Sequence, residues 1–162
     1  MDAVALVHQP LTIYNDRIEL RSEEPTQFID LTDWVARSLL RSGVEHGIAQ
    51  VRVLHTTAAI VVNENEPLLL DDFKAVLERL APGNGVYGHD DPLRRRVNLE
   101  PGERSNGHAH ARALLLGDSR QFSVLEGRVE LGRWQSIFLV ELDGPRTRSV
   151  SITVMGHRRN AA

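Results

Sequence analysis

The chain predicts an α+β domain, an antiparallel β-sandwich with helices packed outside it. Two observations carry this. Short alternating or continuous apolar runs outnumber the helical stretches, and most neighbouring runs are joined by tight turns rather than long crossovers. The 162 residues make one domain by length, 1–162, with residues 156–162 as a loose tail.

Met1 to Leu20 carries Leu11, Ile13, then Ile18, Leu20 around Asn15-Asp16, which reads as a hairpin. Thr32 or Asp30 can cap a helix through Trp34, Val35, Leu39 and Leu40 that Gly43 stops. Ile48 to Val62 gives two strands, or one long bent strand, with His55-Thr56-Thr57 at the bend. Its second half, Ala58 to Val62, is apolar on both faces and predicts a central strand. It runs into Asn63-Glu64-Asn65-Glu66, either a solvated turn or a strand end placed for chemistry. Pro67 opens a helix whose stripe is Leu69, Phe73, Val76, Leu77 and Leu80, with Asp71 and Asp72 in the first turns. Asn84 to Ser105 is a long irregular stretch, a length usually tied to function or mobility. Its Arg94-Arg95-Arg96 run is a solvated surface or a phosphate clamp. Gln121–Leu125, then Val129–Leu131 interrupted by Gly132–Gln135 and resumed at Ser136–Leu142, read as strands. Thr147–Met155 closes the sheet after the Asp143-Gly144-Pro145 turn.

Composition excludes several classes. Net charge −3 argues against non-specific nucleic-acid binding and gives no membrane-surface signal. With no cysteine, any metal must take imidazole, carboxylate, amide or water ligands. No apolar run is long enough to span a bilayer and no signal peptide opens the chain, so the expected location is the cytoplasm.

Asn106 to Gly117, NGHAHARALLLG, is the centre of the reading. Asn106 can cap, the alanines and leucines favour helix, and Gly117 suits a helix end. The segment is apolar on nearly every side, which predicts burial. Buried imidazoles need partners, often a metal or an anion but more commonly an internal hydrogen bond. On a helix His108 and His110 point apart, whereas an extended segment would face them the same way. The helical reading selects His110, with His108 at the mouth.

Several motifs coincide in order. His55-Thr56-Thr57-Ala58, Asn63-Glu64-Asn65, Tyr87-x-His89-Asp90, Asn106 with His110, Gly127 with Gly132-Arg133-Trp134-Gln135, and Asp143-Gly144-Pro145-Arg146 resemble the YjbQ-like family, often named secondary thiamine-phosphate synthases. The resemblance implies a jelly-roll-like sandwich, a homotrimer, and a divalent metal, zinc, near His55, His89 and His110. Three neutral imidazoles with an open position describe a catalytic zinc site. Magnesium accompanying a phosphate substrate is a further expectation. Arg133 stands for the family's usual Thr, Ser105 for an Asp in many members, and the Asp91–Arg104 stretch is longer and more basic than the family pattern.

The implied activity is transfer between phosphorylated small molecules. Hydroxymethylpyrimidine diphosphate loses pyrophosphate and a thiazole phosphate nitrogen attacks the methylene carbon. Arg146, Arg148 and Arg112 are the expected anion ligands. Glu64 or Asp72, with Asn63 beside them, would bind a second cation or move a proton. Gln135 and Asn106 belong to the substrate side, and Trp134 either packs or stacks on a heterocycle. Two other functions fit the same residues: a metal-dependent hydrolase with Glu64 as base, and a non-enzymatic trimer holding a metal and an anion.

Overall fold

The computed structural model describes residues 10–158. Strand β1 (Thr12–Arg21) leads to β2 (Gln27–Asp30), helix α1 (Thr32–Ser42), β3 (Val44–Val53), β4 (Ala58–Asn63) and α2 (Pro67–Leu80). A 3-10 turn at Gly88–Asp90 precedes α3 (Gly107–Leu116), then β5 (Ser119–Leu125), β6 (Arg128–Val129), β7 (Ser136–Glu141) and β8 (Thr147–Arg158). Every strand pairing is antiparallel. One sheet has the order β1-β8-β3-β5-β6 and the other β2-β7-β4. The α+β expectation holds.

Between the sheets lies one core. Val51 and Val53 of β3, Val150 and Ile152 of β8, Ile60 of β4 and Ile137 and Leu139 of β7 meet there, joined by Val35 and Leu39 of α1. The other face of the small sheet, with Ala59, Phe138 and Val140, packs on Leu77 of α2 and Ala109 of α3. Alternation along each strand thus feeds two layers of burial.

Several expectations are corrected here. The Met1–Leu20 hairpin is replaced by a single strand over its described part, with residues 1–9 outside the described residues. β1 runs in unbroken register against β8 from Thr12↔Gly156 to Arg21↔Thr147. Asn15-Asp16 is no turn, because Asn15 Oδ1 accepts from Thr153 and Asp16 turns inward to Ser38 and Arg41. β4 is an edge strand and β7 the central one. β4 is apolar on both faces because one faces the large sheet and the other faces the helices. β6 and β7 lie in different sheets, so Gly132–Gln135 is a crossing between layers rather than an interruption. On α2 only Leu77 is fully buried, while Val76 and Leu80 are exposed. Residues 156–158 of the expected tail belong to β8, and 159–162 lie outside the described residues.

Helix ends follow local chemistry. Gly43 closes α1 at φ 67°, a left-handed position that favours glycine. The N-cap of α1 is Leu31, which makes no side-chain cap, rather than Thr32 or Asp30; Asp30, just before it, accepts from the Thr32 amide through Oδ1. Pro67 opens α2, and Glu66 caps it through the Leu68 and Leu69 amides. Among the described residues, no helix is long and apolar enough to cross a membrane.

Candidate functional site

Three chain segments that are distant in sequence converge beside the first residues of β4. They are the bend His55–Thr57, the 3-10 turn with His89, and the start of α3 with His110. With Asp143–Arg148 and the 95–104 loop they line an open cleft of about 1380 Å³. Sequence reading placed one histidine of the 108/110 pair at the site, and the helix does separate them. His110 lines the cleft and its ring lies 4.6 Å from that of His89. His108 faces Tyr87 instead, ring to ring at 6.4 Å.

The start of α3 is held from outside the helix. Asn106 makes no side-chain cap. The Asn106 and Gly107 amides both donate to Asp90 Oδ1 at 2.9 Å, so the residue after His89 caps the helix that carries His110. Asn106 Nδ2 donates to Asp143 Oδ2 at 3.0 Å, and Arg146 pairs with the same carboxylate oxygen at 2.8 Å. The helix is not buried all round, because Leu114 and Leu115 face outward. Arg112 takes its inner side.

Beneath the cleft lies a buried ion pair. Glu141 is fully buried and Arg148 is 3% exposed. Arg148 donates to both Glu141 carboxylate oxygens and to the Thr57 hydroxyl and carbonyl. Glu141 also accepts from Ser22 and from the Leu142 and Asp143 amides. Burial pushes the Glu141 carboxyl up, but bonds from Arg148, the Asp143 amide and Ser22 outweigh it and hold it below 4.5. One carboxylate therefore fixes both the His55–Thr57 bend and the Asp143 turn.

Burial first, then the neighbouring His89, holds the His110 imidazole below its ordinary 6.5. Burial first, then Arg148, does the same for His55, with Glu141 opposing and Arg146 assisting. His55 Nε2 accepts from the Ser149 amide at 2.8 Å. His89 Nε2 is buried without a hydrogen-bond partner. Among the described residues, no three histidine or carboxylate side chains are placed to share a metal ion. The structure brings the His89 and His110 imidazoles side by side, and the Ser149 amide occupies Nε2 of His55.

The other expected residues divide. Arg146, Arg148 and Asn106 line the cleft. Arg112 does not. It is 3% exposed and ties α3 to Ala81, Thr26 and Glu78, a structural role that occupies its guanidinium. Asn63 and Glu64 lie at the other end of β4, where Asn63 Oδ1 accepts from the Glu64 amide. Asp72 is exposed on α2. Trp134 is 61% exposed under Arg133, and Gln135 closes its own turn onto Gly132. Of the arginine run, Arg95 alone lines the cleft, paired with Glu103.

Sequence reading missed Glu141, Arg104 and Glu103. Arg104 lines the cleft and donates to the Asp143 and Gly144 carbonyls. A Glu ending the apolar run SIFLVE was the available signal for the first. The other two sit in irregular chain with no periodic cue.

The chain matches the family described as UPF0047 protein YjbQ-like over residues 16–157. A UPF0047 protein of Methanothermobacter thermautotrophicus is 38% identical over 146 residues, 90% of this chain and 94% of its own. YugU of Bacillus subtilis is 34% identical, covering 86% and 97%. Among solved structures, a YbjQ-like protein of unknown function from Sulfolobus solfataricus superposes with a TM-score of 0.82 at 35% identity, covering 91% and 100%. A hypothetical protein from Aeropyrum pernix gives 0.78 at 36%, covering 88% and 98%. With the motifs of the cleft falling inside the matched span, the chain belongs to the UPF0047 family of YjbQ-like proteins.

Proposed function

We propose that the cleft binds a phosphorylated small molecule and that the chain is a metal-dependent enzyme of the transferase class, resembling secondary thiamine-phosphate synthases. The observation that carries this is one cleft lined by Arg104, Arg146 and Arg148 beside His55, His89 and His110. The three guanidinium groups face two buried carboxylates, Asp143 and Glu141, and Glu100 also lines the cleft, so the arginines offer directed N–H donors rather than a surplus of charge. Guanidinium suits phosphate oxygens, and a partly desolvated wall strengthens the attraction.

In the proposed transfer, the bond from the pyrimidine methylene to the diphosphate oxygen breaks with its electron pair going to pyrophosphate. The thiazole phosphate nitrogen supplies the pair for the new C–N bond. Arg104 and Arg146, the more exposed of the three, would stabilise the departing anion. Zinc, or magnesium carried in with the phosphate, is proposed as cofactor with His89 and His110 as its protein ligands. It would supply charge neutralisation, and no step above depends on it. A homotrimer is proposed from the family resemblance. The finer expectation of a jelly-roll-like wind rests on the nested pairing of β1 with β8 and β2 with β7.

The hydrolase reading needs Glu64 as base, and Glu64 stands at the far end of β4 within one subunit. The test is a screen of phosphorylated substrates with separate detection of pyrophosphate and orthophosphate. Pyrophosphate release supports transfer and orthophosphate release supports hydrolysis. The absence of both, with pyrophosphate still bound, leaves the non-enzymatic binding protein.

A further inference from the structure

We infer that His55 serves as a fixed hydrogen-bond donor, offering Nδ1–H to an oxyanion in the cleft, and is not a ligand of the metal held by His89 and His110. A neutral imidazole has one proton and one in-plane lone pair. The Ser149 amide donates to Nε2 at 2.8 Å, so the lone pair is at Nε2 and the proton at Nδ1. A metal ligand needs that same lone pair.

The donating amide is well held. Ser149 pairs with Glu19 in the β1–β8 register, and its carbonyl accepts from the Leu54 amide at 3.0 Å, just before the His55 bend. The Ser149 contact is the hydrogen bond of the His55 side chain among the described residues, and the ring lines the cleft. Nδ1–H is thus free for a ligand.

The neighbours agree with this assignment. Arg148 and Arg146 both act on the His55 ring, with Glu141 opposing them. Both arginines are paired with carboxylates, so what they offer beside the ring is further N–H donors, which suit an anion's oxygens. The ligand group that suits Nδ1–H beside them is a phosphate monoester or diphosphate oxygen. Only this choice of anion rests on the phosphorylated-ligand reading; the tautomer is independent of it.

The test uses the full chain with labelled histidine. Nitrogen and carbon NMR should show His55 protonated at Nδ1 and unprotonated at Nε2. Zinc titration should move His89 and His110 and leave His55 in place. An Nε2-protonated His55, or a His55 nitrogen shifted by zinc as a ligand would be, overturns the assignment. Calorimetry with inorganic pyrophosphate gives the second arm. His55→Asn, which keeps an N–H near the Nδ1 position, should bind within about twofold of wild type. His55→Phe should bind about tenfold more weakly, the effect of one charge-assisted hydrogen bond. His55→Phe binding as tightly as wild type overturns the anion role alone. A wild type that binds no pyrophosphate overturns the anion role together with the phosphorylated-ligand reading, while the NMR result still decides the tautomer.

Discussion

Glu141 and Arg148 set the energetics of the cleft floor at the level of single residues. Removing one partner leaves the other charged and buried, so Arg148→Ala should cost about 3–5 kcal/mol in chemical denaturation. The pair Glu141→Leu with Arg148→Met removes both charges together and should cost less than either single change. A double variant as unstable as the two singles combined would show that the pair is not coupled. Acid should act in two stages. His55, His108 and His110 are all held below 6.5, so in the window just under 6.5 the unfolded chain binds more protons than the folded one. Stability therefore falls as pH drops through that window. Glu141 is held below 4.5 and Asp30 below 3.8; their contributions are present above those values and are lost as pH falls further. Calorimetric Tm should show both declines, the first smaller in His110→Gln. A Tm that stays flat from pH 7 to 5 would contradict the histidine environments. Sequence could not rank the arginines that matter here. Arg112 and Arg148 are both buried, yet one ties helices together and the other floors the cleft, a difference decided by non-local partners.

Elements were legible where a local signal agreed with the tertiary answer. Pro67 and Gly43 marked helix ends, and the helical reading of 106–117 alone was enough to separate His110 from His108. The failures have one cause. The Asn15-Asp16 turn signal, the two-faced apolar β4 read as central and the single interrupted strand read over 129–142 were all local inferences overruled by strand partners far away in sequence. Asp90 is a further instance, since it caps α3 from sixteen residues upstream. Gly107 tests the same conflict energetically. By helix propensity Gly107→Ala should stabilise α3 by up to about 1 kcal/mol. A Cβ there would lie 2.4 Å from Tyr87 Cβ and 3.2 Å from Asp90 Oδ2, both beside the His89 turn. Sterics should win, giving a net loss of about 1–3 kcal/mol. The His89 and His110 NMR signals should move as the turn is displaced. A Gly107→Ala protein more stable than wild type would show that the turn yields without cost.

Across the whole molecule, the family motifs fall into two groups. His55, His89, Asn106, His110 and Asp143 surround the cleft at the start of β4. Asn63-Glu64-Asn65 and Trp134-Gln135 lie at its other end, where Asn63 pairs with Ser136. At about 3.3 Å per residue, β4 separates the groups by roughly 17 Å. Glu64 therefore cannot reach a ligand at His110 of its own subunit, and the second group either builds a turn or serves a neighbouring copy. The subunit leaves Leu80, Leu114 and Leu115 exposed, together with Trp134. Apolar side chains in such number on a small domain are usual where copies meet. The prediction is a homotrimer: light scattering at micromolar concentration should return three times the 18.1 kDa chain mass. A monomer mass would sink it. If α3 contributes to the interface, Leu115→Asp should lower the mass; Leu114, one turn beyond His110 and lining the same cleft, is left in place so that the His110 NMR signal is kept. Glu64→Ala separates these two roles. In a trimer that places Glu64 against a neighbour's cleft, it should change pyrophosphate binding without lowering Tm. In a trimer that does not, it should leave binding untouched, and Asn63-Glu64 is then a turn that ends β4.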